Sequence, residues 1–264
     1  MPPCGRQADS REVRPRFALS LLVAAVAVAA AGTVAHAASS STNATKATSC
    51  SSQSEGYRYA GHQATQTGHG VRAVITAVRQ PAASAGHVAA WVGVGGPGQG
   101  QDGVDEWIQV GLASFSGFPN TLYAEVTRPG VDPEFILLER LVPVGASRHV
   151  AVLEMSKRPG TWRVWVEGDA VTDPIPLPGS AGRWEPIATA ESWNPTGGSC
   201  NAFSFRFEEV GVAQGRGGSW RPFASGHRFL DDGLRLQALT PEPGVRTLAA
   251  TGPAPYAFIA STAS

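Results

Sequence analysis

Seven side chains in this sequence are of types that could act together on a bound molecule: Trp91, Trp107, Gln109, Tyr123, Glu125, Glu191 and Trp193. Aromatic rings wall ligand clefts, and a few placed polar groups inside such a cleft orient what binds there. An amide both donates and accepts hydrogen bonds, and a carboxylate accepts them and can take a proton. These residues form one site only if the backbone turns them the same way. Side chains on a β-strand point alternately to opposite faces. Within 106–112, Ile108, Val110 and Leu112 share one face, and Trp107, Gln109 and Gly111 the other. Within 89–94, Ala90, Val92 and Val94 oppose Trp91 and Gly93. Within 122–127, Leu122, Ala124 and Val126 oppose Tyr123, Glu125 and Thr127. Within 186–193, Ala188, Ala190 and Ser192 oppose Ile187, Thr189, Glu191 and Trp193. One face is small or aliphatic each time and suits the space between two packed sheets. The other face carries the aromatics, the amide and both carboxylates.

The elements that must carry these residues are strands. From Tyr57 onward, short runs rich in Val, Ile, Trp, Phe and Tyr alternate with Gly/Pro clusters. Strands are expected at 71–78, 89–94, 106–112, 122–127, 135–141, 149–154, 162–166, 186–193, 203–212, 234–239, 246–249 and 256–260. Few stretches sustain a helical period. A dozen strands without intervening helices imply an all-β antiparallel sandwich or barrel, and a two-sheet antiparallel jelly-roll sandwich is expected.

The same residues resemble a known family, the eqolisins or glutamic peptidases. The resemblance rests on Trp91-Val92-Gly93-Val94-Gly95, Trp107-Ile108-Gln109-Val110-Gly111, Tyr123-Ala124-Glu125-Val126 and Ala190-Glu191, in that order. The opening Tyr59-Ala60-Gly61-His62-Gln63-Ala64 is similar to bacterial members, as is the ending from Leu234 through Ile259. The resemblance spans roughly 57–260 and implies a concave sheet with a catalytic Gln109–Glu191 pair. In such a pair the glutamate is the general base for a water, and the glutamine amide donates to the developing oxyanion. Trp91, Trp107, Tyr123, Glu125 and Trp193 then contact a polypeptide substrate. This chain departs from the pattern at Gly95 and Ala113, where the family often has aspartate. It departs again at Ala188-Thr189-Ala190, where Trp-Ile-x precedes the glutamate. A fold-sharing relative without activity is therefore the companion reading.

A second function class is open. Trp162-Arg163-Val164-Trp165-Val166-Glu167-Gly168-Asp169 resembles the strand-and-turn of concanavalin-type lectins. The same aromatic face could then stack on polysaccharide without catalysis. Glu125 and Glu191 would suit a glycosidase only at a carboxyl separation that sequence cannot supply. Gly93-Val94-Gly95-Gly96-Pro97-Gly98 matches GxGxxG formally, but no helix opens there and no cofactor is expected. Asp102, Asp105 and Glu106 read as a solvated loop more readily than a calcium site. No zinc or other metal motif is present. With 21 basic and 21 acidic residues the chain lacks the basic excess that nucleic acid requires.

Export is written at the start. Arg6, Arg11, Arg14 and Arg16 precede an uncharged apolar run over 17–32, followed by Ala35-His36-Ala37. This pattern reads as a secretory signal over 1–37, too short in its apolar part for a membrane span, and export with cleavage is expected. A Ser/Thr-rich lead-in over 38–56 and one β domain over 57–264 follow, and no membrane contact is expected after cleavage. Cys4 leaves with the leader, and Cys50 and Cys200 are expected to form a disulfide in an oxidising compartment. Protein recovered from culture medium should begin near Ala38 by N-terminal sequencing and should titrate no thiol when unfolded without reductant.

Overall fold

The structure, a computed structural model, describes residues 54–180, 184–198, 200–239 and 256–263. The expected leader, the lead-in up to residue 53, Cys50 and the strand expected at 246–249 lie outside the described residues. Sixteen strands run through the described residues: β1 (Gly56–Ala64), β2 (Gly70–Ala77), β3 (His87–Gly96), β4 (Glu106–Phe115), β5 (Thr121–Arg128), β6 (Val131–Glu139), β7 (Ser147–Glu154), β8 (Thr161–Val166), β9 (Asp169–Ala170), β10 (Ile175–Pro176), β11 (Ile187–Asn194), β12 (Ser204–Gly215), β13 (Gly218–Pro222), β14 (Gly226–Leu230), β15 (Leu234–Ala238) and β16 (Phe258–Thr262). The helical content among them is one 3₁₀ turn at Gln101–Gly103.

The strands form two antiparallel sheets packed as a β-sandwich. One has seven strands in the order β14-β1-β11-β3-β4-β5-β6. The other has nine, with β10-β8-β7-β2-β12-β16-β15 as its path and β13 and β9 paired to β12 and β8. The aliphatic faces meet between the sheets. Ala90, Val92, Val94, Ile108, Val110, Leu112, Leu122, Ala124, Val126, Ala188 and Ala190 come from the first sheet. Val71, Ile75, Val150, Val152, Trp162, Phe205 and Phe207 come from the second. Trp162 is fully buried, and its Nε1–H donates to Ser180 Oγ (2.7 Å), so the large ring enters the core with its polar atom satisfied.

Several elements differ from the sequence expectation. β1 carries Arg, His, Gln and Gly and lacks the β-branched signal, yet it pairs on both sides, with β11 and β14. The lead-in does not extend to residue 56: Gly56 starts β1, and Ser54 already binds Arg58 and Asn194. β6 starts at Val131 rather than at 135, and Pro133 is tolerated because this is the edge strand. The acidic loop does not converge: Asp105 Oδ1 accepts from Gly98 N–H (2.8 Å), while Glu106 turns inward to accept from Gly179 N–H (3.0 Å). Cys200 lies exposed after β11, with its N–H on Ser84 Oγ (2.6 Å).

His62 introduces a pH dependence into the fold. It shares the inward face of β1 with Ala60 and Ala64, meets Phe258 edge-on (5.1 Å), and has a buried Nδ1 with no partner among the described residues. Burial, and then the charge of Arg228, push its pKa from 6.5 down to about 4. The unfolded chain therefore takes up this proton at a higher pH than the folded one. Stability should fall as pH drops from 6.5 toward about 4. Urea midpoints across that window should fall more steeply for the wild type than for His62→Phe, which keeps the ring packing and cannot titrate.

Candidate functional site

The outward face of the seven-stranded sheet is a grid whose rows run across the strands. Tyr57, Trp193, His87 and Phe115 are successive cross-strand partners on β1, β11, β3 and β4. The next row is Tyr59, Glu191, Ala89, Ala113 and Thr121. Then come Gly61, Thr189, Trp91, Gly111 and Tyr123, followed by Gln63, Ile187, Gly93, Gln109 and Glu125. Trp107 lies one row beyond, opposite Gly95. Small residues floor the middle of this grid. A Cβ on Gly93 would lie 2.8 Å from the Cβ of Gln109, so glycine there leaves that side chain its place.

A cleft of about 560 Å³ opens on this face. Trp91, Trp107, Gln109, Glu125 and Glu191 all line it, together with His87, Tyr57, Tyr59, Phe229 and Asp231. The Glu191 carboxylate is held at both oxygens. Oε1 lies 2.9 Å from His87 Nε2, and Oε2 accepts from Trp91 Nε1–H (2.9 Å). A carboxylate has about four lone-pair sites, so acceptor capacity remains for a water in the cleft. Gln109 donates one amide hydrogen to Tyr123 Oη (3.1 Å), which leaves its second hydrogen for a ligand. Trp107 Nε1–H donates to Glu125 Oε1 (3.1 Å).

Two of the sequence-selected residues stand apart from the lining. Tyr123 is buried beneath Phe135, whose ring stacks on it at 5.1 Å, and it reaches the cleft only through Gln109. Trp193 packs against His87 (5.4 Å) and Tyr57 (6.1 Å) and braces the histidine that holds Glu191. β3 begins two residues before the apolar run at Ala89 that marks it in the sequence, and that step puts His87 on the same face as Trp91. Tyr57, Phe229 and Asp231 belong to β1, β14 and the turn after it, and their strands carry no strong β signal. A larger hollow, about 900 Å³, lies on the other sheet and is lined by Arg72, Arg163, Trp165 and Trp220, with Arg72 already stacked 5.1 Å over Trp220.

Burial governs the protonation of the cleft. It pushes the Glu125 carboxyl above 4.5; the Trp107 hydrogen bond works against this, and the charge of Glu191 adds to it. Burial also raises Tyr57, Tyr59 and Tyr123, with the charge of Glu191 next in each case. The tyrosines therefore stay protonated, as donors. For Glu125 the folded value lies above the unfolded one, so its contribution is complete below 4.5 and is lost as pH rises through the folded value. Glu125→Gln keeps an acceptor for Trp107 and carries no charge. It should raise the urea midpoint at pH 7 and lose that advantage below roughly pH 4.

No family model and no curated protein matches this sequence. Solved structures do match in fold. A scytalido-glutamic peptidase bound to a peptide-based transition-state analogue superposes with a TM-score of 0.53 at 14% identity, covering 81% of this chain and 100% of that one. The same peptidase with a transition-state analogue inhibitor gives 0.52 at 12% identity, with the same coverage. The fold of this chain is thus like that of the glutamic peptidases.

Proposed function

We propose that the protein is an exported endopeptidase of the glutamic type, in which Glu191 and Gln109 act on peptide bonds. The observation that carries this reading is the state of the two groups in one aromatic cleft: a carboxylate held by His87 and Trp91, and an amide held by Tyr123. Pre-positioned groups of this kind need little reorganisation as charge develops. The likeness in fold to peptidases solved with peptide-based analogues supports a polypeptide substrate. Export, and a disulfide between Cys50 and Cys200, belong to the same proposal and rest on the leader pattern and the cysteine count.

In the proposed reaction Glu191, as carboxylate, removes a proton from a cleft water. The water oxygen forms a bond to the scissile carbonyl carbon, and the C=O electron pair moves onto oxygen. The second amide hydrogen of Gln109 donates to that oxyanion. Glu191 then passes the proton to the leaving nitrogen as the C–N bond breaks, which returns it to the carboxylate form. Atoms and charge balance without a metal. Tyr57, Tyr59, Trp91 and Trp107 wall the cleft and exclude water from the substrate chain.

Mature protein should cleave an unfolded protein substrate at roughly pH 3–5, with chelators and serine- or cysteine-directed inhibitors without effect. Gln109→Ala should lower kcat by about 10²–10³-fold. Glu191→Gln should lower it by about 10³-fold or more. Both variants should keep the wild-type circular dichroism. A wild type that cleaves nothing between roughly pH 2 and 8, yet is retained on a polysaccharide column and released by Trp91→Ala, would establish the lectin-like reading instead.

A further inference from the structure

Beyond Glu125, the last residue lining the cleft on this side, the same sheet face continues onto β6. β6 is the last strand of the sheet, and its outer edge has no neighbour among the described strands. Its register with β5 sets Phe135 opposite Glu125 and Leu137 opposite Tyr123. Both side chains therefore stand on the cleft face, while Ile136 and Leu138 pack inward on the core. Phe135 and Leu137 are each 43% exposed. Edge strands of soluble proteins usually carry charge or proline facing water. Here two large apolar side chains stand side by side on the edge instead.

This surface is joined to the reactive end of the cleft through rings. Phe135 lies parallel to Tyr123, with centroids 5.1 Å apart and an interplanar angle of 8°. It meets Phe115 edge-on at 5.4 Å. Tyr123 in turn accepts the hydrogen bond from Gln109. From Gln109 to Phe135 is two strand spacings, about 10 Å. An extended peptide covers that distance in about three residues.

We propose that Phe135 and Leu137 form a subsite for an apolar side chain, aliphatic or aromatic, of a polypeptide. That side chain belongs to the third residue from the scissile bond on the Gln109 side. The assignment of that bond rests on the reading of Gln109 and Glu191 given above. The binding itself does not need catalysis, because the shelf is apolar and lies outside the reacting groups. A peptide crossing the sheet from β11 toward β6 lays its third residue over the two side chains and covers surface that water otherwise meets.

The test uses mature Glu191→Gln protein, so that peptides bind and are not consumed. Two matched sets of octapeptides carry either Leu or Ser at the third position, one set on each side of the central bond. Affinity is read by titration calorimetry. Leu should bind about tenfold more tightly than Ser in one set, the gain expected from burying one such side chain. Phe135→Ser or Leu137→Ser, each added to the Glu191→Gln protein, should collapse that ratio toward one. Two variants are used because a fold defect in one leaves the other informative. A Leu/Ser ratio that survives both variants, or that never departs from one, overturns the subsite. So does a concentration-dependent dimer in sedimentation that Phe135→Ser disperses, since the edge is then covered by a second copy. Absence of cleavage by the wild type, with the ratio and its loss as expected, overturns the peptidase reading and leaves the subsite standing.

Discussion

Burial of one face of β3, β4, β5 and β11 determines which side chains of this protein are left to do chemistry. Each of these strands gives its small or aliphatic residues to the space between the sheets, where Ala90, Val110, Ala124 and Ala188 are fully buried. With a side-chain period of two, a slip of one residue would send Glu191 and Gln109 into that apolar space. Their desolvation without partners would cost several kcal/mol each, roughly, so the register is strongly specified. The cleft thus follows from the core: the same hydrogen-bonded ladder that fills the interior lines up Glu191, Gln109 and Glu125 on the opposite side.

The two central groups are each held by named neighbours. At Gly95 the backbone has φ +83°, a region that an aspartate rarely adopts, and a Cβ there would run into the carbonyl of Glu106. Ala113 sits in a small apolar cluster with Ala89, Trp91 and Tyr123, where a carboxylate would be buried among apolar neighbours. An acidic side chain would thus meet backbone strain and a clash at Gly95, and an apolar surrounding at Ala113. Glu191 is held by an imidazole and an indole, and Gln109 by a phenol. Among the described lining residues, His87 is the one able to carry positive charge, against Glu125, Glu191 and Asp231.

Acidity acts in opposite directions in two parts of the fold. Protonation of Glu125 relieves a buried charge beside Glu191, whereas protonation of His62 places a charge on the inward face of β1 beside Arg228. A protein working in acid would gain at the cleft and lose on the inward face of β1. The two residues lie on the same sheet but on opposite faces, so each can be altered without touching the other's contacts.

The division of residues between the two faces was legible in the sequence, because alternation is a local property of an extended backbone and four strands showed it independently. The all-β class followed from the same signal. Neighbours in space were not legible. β1 lies between β11 and β14, more than a hundred residues away along the chain, and its Arg, His, Gln and Gly content carries no strand signature. Its identity as a strand comes from the backbone partners it finds there. Through it Tyr57 and Tyr59 enter the cleft, and through β14 Phe229 does. The sequence could likewise name Tyr123 and Trp193 as members of the aromatic face, but not that one lies under Phe135 and the other beside His87. Face depends on the parity of a position along its own strand, which any seven or eight residues declare. Adjacency depends on the order in which strands are joined, and that is decided only when the whole sheet closes its hydrogen bonds and buries its inner side.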